Sequence, residues 1–436
     1  MAADAEAEQE AEATPRSRLL ALAAIGAAVA GYAAMALVYA HVTPVGQGPD
    51  EVPHLAYARL IADHLALPGA GVQEKQQPPL AYLLDAVVLR AGGGASDVRH
   101  LSAVLGAGAV LLTALTARAL WPARPWRWAG AAALVAAVPE LQYLGGVVTD
   151  DTLAATVGAL LCVLTATVLV GPVPGPRMTV ACGAAAGFGL LTKETDFALV
   201  GILAAAVAYR RRSSLIFRDG LLACAACVAV CGWWYARNLA SFQAPLPPLA
   251  SLGNVHQHLR HIGQLEGFVS ALLRSSVGAY SDGATRLQFI GAGGDSTLVV
   301  GPVLAAAGLV GLAGLVLARQ AWPAWSGRER AVAVAAVAAP LALLVLVVGN
   351  SVAIDLQPQG RYLLPAAPLV ACAAVWACAG AAARLRLAPA GRRSLVGAAL
   401  AGAALLAAAG VQTERDMAAT VPSPSAVSPG DAGAAS

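Results

Sequence analysis

The feature that most limits this chain is a succession of apolar runs close to 20 residues long. They fall near 19–40, 100–119, 128–147, 153–171, 178–192, 196–209, 219–236, 297–318, 331–349, 362–383 and 394–410. About 20 apolar residues is what a helix needs to cross 30 Å of hydrocarbon. Only 12% of the residues are charged and the mean hydropathy is +0.67, whereas a soluble domain carries about a quarter charged residues. Spanning strands would alternate in segments of about ten residues, and no such pattern occurs. The sequence predicts an all-α, polytopic integral membrane protein with about 11 transmembrane helices.

Charge distribution supplies the orientation. The net charge of +3 says little, and no basic patch with interleaved aromatics points to nucleic acid. Arginines such as Arg118, Arg124, Arg177, the triplet Arg210–Arg212, Arg328 and Arg384 gather in short segments on one side. The positive-inside rule makes that side, and the N-terminus, cytoplasmic. Residues 1–18 read as a disordered cytoplasmic tail, 19–410 as the transmembrane domain and 411–436 as a second disordered tail. The first apolar run follows no basic n-region, which makes it an uncleaved anchor. Two long segments, 41–99 and 238–296, fall on the extracytoplasmic side. All seven cysteines lie in apolar segments. Cys224, Cys227 and Cys231 share one helical stripe, so the CxxC reads as small core residues and not as a metal or redox site.

Residues 178–209 are too long for one span and carry "LTKETD" at their middle. A single crossing would put Arg210–Arg212 outside. Two short helices returning to the cytoplasmic side, with Lys193, Glu194 and Asp196 at the pinch, satisfy the charge rule. Irregular backbone at that depth is tolerated only where it lines protein or a wet cavity. Within 41–99, residues 51–66 place Leu55, Ala58, Ala62 and Leu65 on an amphipathic stripe. "PPLAYLLDAVVLRAGGG" starts at Pro78-Pro79 and stops at Gly92. Its 13 or so helical residues are too few to span, at about 1.5 Å each. Both helices are expected at the interface.

The polar residues on the outer side form a constellation. Asp50, Glu51 and His54 open the first of these helices, and Asp150 and Asp151 end the third span. Lys193 sits at the pinch, Arg237-Asn238 follow "WWY", and Arg361 stands in "QPQGRYLLP". Ionisable groups gathered at one face of a membrane cavity mark a functional site. Each also has an ordinary reading. Asp50 has the makings of a helix cap, Lys193 of a snorkelling side chain, and Trp233, Trp234 and Arg361 of interfacial anchors. The spacing of His256, His258 and His261 does not put three ligands on one helix face, so no metal site is expected there.

In this order along 19–384, "PDEVPH", "QQPPLAYLL", "PELQYLGGVVTDDTLA", "GFGLLTKETD", "WWYARN" and "QGRYLLPAAP" resemble the polyprenyl-phosphate-dependent glycosyltransferases of the GT-C superfamily. That group includes the protein O-mannosyltransferases and the aminoarabinose transferases (glycosyltransferase family 39-like). Many relatives carry a His near the "PPL", where this chain has Gln76-Gln77.

The resemblance implies a membrane transferase that moves a sugar from a polyprenyl-phosphate donor to a hydroxyl of an extracytoplasmic acceptor, with inversion. The acceptor would be an envelope glycan, a lipid or a protein, and the location a bacterial cell membrane. Asp50 and Glu51 would be the catalytic pair, Asp50 as the base and Glu51 supporting it or orienting the acceptor. Lys193, Arg237 and Arg361 would clamp the donor phosphate. His54, Gln77, Tyr82, Asp150, Asp151 and Asn238 would contact substrate. No cofactor is implied, although a divalent ion at Asp150 and Asp151 is left open. A broken helix with intramembrane charge also suits an ion-coupled transporter, and a non-catalytic lipid-binding subunit is a third reading.

Overall fold

A computed structural model describes residues 14–69, 74–211, 216–246, 264, 268–269, 272, 297–353 and 359–384. The expected span at 394–410, the tail at 411–436, most of 238–296 and the three histidines at 256, 258 and 261 lie outside these residues. The described residues are helical, and six of their helices are long and apolar enough to cross a membrane. The protein is an integral membrane protein. Leu19, Val104 and Val345 are more than 60% exposed along these helices, as side chains facing lipid are.

The first span, α1 (Pro15–Val42), starts before residue 19 because Thr14 caps it. The Thr14 hydroxyl accepts from Ser17 N at 3.2 Å and Pro15 takes the first helical position, where its missing N–H costs nothing. The tail boundary at 18 is therefore corrected. The expected interfacial pair is present as α2 (Glu51–His64) and α3 (Leu80–Arg90). Their shared face holds Tyr57, Ile61, Ala62, Tyr82 and Ala86. The Tyr57 and Tyr82 rings stack at 3.9 Å, a contact worth about 0.5–1.5 kcal/mol beyond burial. Leu65 leaves the expected stripe. It is the left-handed C-cap of α2, at φ 52°, and is 75% exposed.

The second span is α4 (Ala95–Leu120). The third apolar run, expected to cross at 128–147, does so in two pieces and not as one helix, from Trp128 beside Trp121 at the end of α4 to Val148 beside Glu51. It breaks into α5 (Pro125–Ala136) and the buried α6 (Pro139–Leu144), because Pro139 cannot continue a helix and pushes Val138 into an extended conformation. The orphaned Ala136 carbonyl accepts from Gln142 Nε2 at 2.7 Å. α6 and the stretch after it nest on α1. Tyr32 donates to the Leu141 carbonyl at 3.1 Å, and Tyr39 meets Tyr143 edge-on at 5.6 Å. A Cβ at Gly146 would lie 2.5 Å from Tyr39 Cβ and 2.7 Å from Ala40 N, so only glycine permits this approach. The nested stretch delivers Asp150 and Asp151 to the start of α7 (Asp151–Val170).

The pinch is as the charge rule requires. α8 (Pro176–Thr192) and α9 (Asp196–Arg210) are separate helices meeting at Lys193–Thr195. Arg210, at the far end of α9, donates to the carbonyls of Val168 and Gly171 at 3.0 and 2.5 Å. These carbonyls end α7, five residues before α8 begins, so α8 and α9 leave and return on one side. The core under the pair gathers Leu161, Leu199, Leu203, Leu343 and Leu369.

α10 (Ile216–Phe242) packs on α8 through Gly183 and Gly187, where an added Cβ would strike the backbone of Ala223 and Cys227. It runs past the expected end at 236, so Arg237 and Asn238 belong to a helix and not to the outer segment. α11 (Thr297–Ala321), α12 (Gly327–Ala353), a 3-10 turn at Gly360–Ala366 and α13 (Ala367–Arg384) complete the described chain. No cysteine is in a disulfide, and Cys227 and Cys231 approach to 3.9 Å as neighbours along one helix.

Candidate active site

Five charged side chains from four separate segments form one chain of ion pairs. Asp50 Oδ2 lies 3.3 Å from Arg361 Nη2, and Arg361 Nη1 lies 3.1 Å from Asp151 Oδ2. Lys193 Nζ then bridges Asp151 Oδ1 and Asp150 Oδ1, each at 2.6 Å. Asp150, Asp151, Lys193 and Arg361 are buried, while the Asp50 side chain is 44% exposed. Asp50 is thus the open end of an otherwise enclosed network.

Local structure explains how each group arrives. Asp50 occupies the N-cap position of α2 but makes no side-chain cap bond, and its φ is 53°. Left-handed backbone is uncommon outside glycine. Here it turns the carboxylate away from the helix it precedes and toward Arg361. Thr149 accepts from Asp151 N at 3.2 Å and donates to its carboxylate at 3.1 Å, which fixes the Asp151 rotamer. The break between α8 and α9 puts Lys193 at its tip. The buried 3-10 turn before α13 carries Arg361. The Tyr362 ring sits 5.4 Å from Lys193 Nζ and 5.3 Å from the Arg361 guanidinium, within cation–π range.

A second layer surrounds the chain. His54 Nδ1 is 2.9 Å from the Tyr82 hydroxyl. Glu74 follows a left-handed turn at φ 60° and is buried. Burial pushes its carboxyl up, the charges of Asp50 and Asp150 add to that, and His54 and Lys193 oppose it. Asp85, on the buried face of α3, is pushed up to about 8, first by burial and then by Asp150. Glu194 is likewise raised, chiefly by burial. Burial by itself lowers Lys193, but Asp150 and Asp151 outweigh it and hold the ammonium well above the usual lysine range.

Three of the expected site residues make their contacts away from the ion-pair chain. Glu51 has its carboxylate enclosed on its own partners. It is 1% exposed and turned away from Asp50, its oxygens taking Arg99 Nε at 2.7 Å and Arg99 Nη2 at 2.8 Å, with Gly46 N at 2.7 Å and Val148 N at 3.0 Å. Burial alone would raise its pKa, but Arg99 and the two amides hold it below the usual carboxylate range. Arg237 makes its polar contacts away from Lys193 and Arg361. It donates to the Pro68 carbonyl at 2.5 Å and to Asn238 Oδ1 at 2.9 Å, against the rings of Trp234 and Phe242. Asn238 is buried and donates to the Pro245 carbonyl at 3.1 Å. Arg237 thus ties α10 to the segment after α2, and Asn238 ties it to the residues that follow α10.

Gln77 closes the Glu74 turn through its backbone, N to Glu74 O at 2.9 Å, and Gln76 Nε2 lies 3.4 Å from the Glu74 carboxylate. Among the described residues no group of three His, Cys, Asp or Glu is placed to hold a metal.

Glu74, Lys75, Asp85, Arg99 and Tyr362 escape the sequence reading. Lys75 is buried beside Glu74, and "EK" just before "QQPPL" was the available signal, since a buried acid and base next to a helix start seldom lack partners. Arg99 looks like an ordinary anchor at the start of a span.

The comparisons agree with this architecture. No protein-family model and no curated protein sequence matches the chain. Two crystal structures of ArnT from Cupriavidus metallidurans do match in fold. One, bound to undecaprenyl phosphate, superposes with a TM-score of 0.57 at 17% identity, covering 86% of this chain and 63% of that one. The other, in the apo state, gives 0.55 at 17% identity, covering 91% and 77%. This chain therefore spans less than two thirds of the length of the first. It has the ArnT-type polytopic membrane fold.

Proposed function

We propose that this chain is a membrane glycosyltransferase, moving a sugar from a polyprenyl-phosphate-linked donor to a hydroxyl of an extracytoplasmic acceptor in a bacterial cell membrane. The observation that carries this reading is the ion-pair chain itself, which ends two buried cations on a half-exposed carboxylate. The shared fold with a protein solved bound to undecaprenyl phosphate supports the donor class.

The proposed chemistry uses this geometry as follows. The acceptor hydroxyl gives its proton to Asp50 as its oxygen attacks the anomeric carbon. The bond from that carbon to the phosphate oxygen breaks on the opposite face, so the product is inverted. Polyprenyl phosphate departs with one more negative charge than it carried in the donor. Fixed cations in a water-poor site stabilise that charge where it develops. Lys193 and Arg361 are such cations, oriented in advance by Asp150 and Asp151. With Glu51 engaged by Arg99, Asp50 acts alone as the base. The acceptor (an envelope glycan, a lipid or a protein) would approach past α2 and α3.

The test incubates detergent-purified protein with undecaprenyl-phosphate-linked sugars and envelope acceptors, following free undecaprenyl phosphate by mass spectrometry. Wild type should consume a donor. Asp50→Asn should stay folded and turn over about 10²–10⁴-fold more slowly, the usual worth of a general base. Lys193→Ala should lose donor binding. Full activity in Asp50→Asn would remove the mechanism. Neither turnover nor donor binding by wild type would remove the function, and proton-coupled uptake into vesicles would establish a transporter instead.

A further inference from the structure

The Arg99–Glu51 pair is buried and joined to further backbone groups, and the proposed chemistry does not use it. Arg99, in the first turns of α4, is 2% exposed. Its Nε and Nη2 form a fork on the Glu51 carboxylate at 2.7 and 2.8 Å. Its remaining donors go to three carbonyls at the end of α1. Nη1 reaches Ala40 at 3.0 Å and Thr43 at 2.7 Å, and Nη2 reaches Pro44 at 3.2 Å. Glu51 extends the network the other way, accepting from Gly46 N at 2.7 Å and Val148 N at 3.0 Å.

The segments joined are those that carry the reacting groups. Asp50 is the residue before Glu51, and Asp150 stands two residues after Val148. The turn carrying Asp50 is also pressed onto the same stretch, since a Cβ at Gly48 would lie 2.8 Å from Val147 Cβ. Asp50 itself holds a left-handed backbone, a conformation that persists in a non-glycine residue only where its surroundings impose it. Bidentate arginine–carboxylate geometry fixes orientation as well as distance, and lysine cannot reproduce it.

We infer that Arg99 is a positioning residue for the proposed reaction, setting through Glu51 the distance and orientation of Asp50 relative to Asp150 and its partner Lys193. This rests on the glycosyltransferase reading for its kinetic consequence, but not for its structural one. Arg99 touches neither the cations nor the open end of the site. Its loss therefore displaces the base while Lys193 and Arg361 remain able to hold a phosphate. A misplacement of about 1 Å far from the chemistry is enough to cost about 10²-fold in rate.

The experiment compares wild type with Arg99→Lys and Glu51→Gln, in full-length protein in detergent. Three quantities are measured: kcat with the lipid-linked sugar donor, Kd for undecaprenyl phosphate, and amide hydrogen exchange across 46–52 and 145–151. Both variants should show kcat at least tenfold lower with Kd within threefold of wild type. They should also lose amide protection in the two segments together while α7 and α12 keep theirs. Wild-type kcat in Arg99→Lys would overturn the inference. So would unchanged protection, or a kcat deficit that disappears when rates are expressed per folded molecule. If wild type turns over no donor, the function falls, and the exchange data alone decide the positioning role. Joint loss supports it and unchanged protection overturns it.

Discussion

Replacing Asp85 with Asn tests the electrostatics of the site more directly than any activity measurement. Asp85 is 6% exposed, on the face of α3 that also buries Tyr82. Burial, with Asp150 nearby, carries its carboxyl from 3.8 up to about 8. Between those values the unfolded chain has released the proton that the folded chain keeps. Stability from this group is thus complete below 3.8 and is lost as the pH rises through about 8. The slope is about 1.36 kcal/mol per pH unit. Asn has the same shape and cannot ionise, so the variant should escape that slope. Its stability relative to wild type should rise by about 2.7 kcal/mol between pH 5 and pH 7, then level off above 8. Reversible unfolding in mixed dodecylmaltoside–SDS micelles, followed by tryptophan fluorescence at each pH, measures the difference. A difference that stays flat across that window, or one that shrinks as the pH rises, would refute the reasoning.

Two further substitutions probe the scaffold. Gly146→Ala forces a methyl against Tyr39 and the α1 backbone, an overpacking that should cost about 1–3 kcal/mol in the same assay. Tyr82→Phe removes the 2.9 Å contact with His54. It leaves a buried ring nitrogen unsatisfied and should cost about 1–3 kcal/mol in thermal stability, with the Tyr57 stack preserved. A Tyr82→Phe protein as stable as wild type would mean that His54 finds another partner.

What the sequence disclosed, and what it hid, divides along physical lines. The pinch at Lys193 was legible because two local rules collided there, a run too long for one crossing and an arginine triplet on the wrong side. The bounds of α3 were legible because Pro79 and Gly92 act on the backbone beside them. The break inside the span at 128–147 was missed because hydropathy averages over Pro139, whose effect is to bend the chain and not to make it polar. Glu51 was misread because adjacency in sequence suggests adjacency in space. At the left-handed entry to α2, Asp50 and Glu51 point to different neighbours. Glu74 and Arg99 stayed hidden for another reason. The charges that act on Glu74 and the Glu51 partner of Arg99 sit on other segments, and no local pattern reports a contact 48 residues away.

The pair α8–α9 also sets a depth. Its two feet are held on one side by arginines. Arg177 opens α8, Arg210 is bonded to the last carbonyls of α7, and Arg211 is paired with Asp219 at 2.8 Å. Raising either foot would drag guanidinium groups into hydrocarbon. The 17 residues of α8 give a post of about 25 Å, short of the roughly 30 Å the hydrocarbon occupies. The neighbouring α7, 20 residues long, covers about 30 Å from the same foot to Asp150 and Asp151, which hold the Lys193 ammonium at 2.6 Å. Two rigid helices thus fix the height of the tip together, and lengthening one without the other would pull the ammonium off its carboxylates.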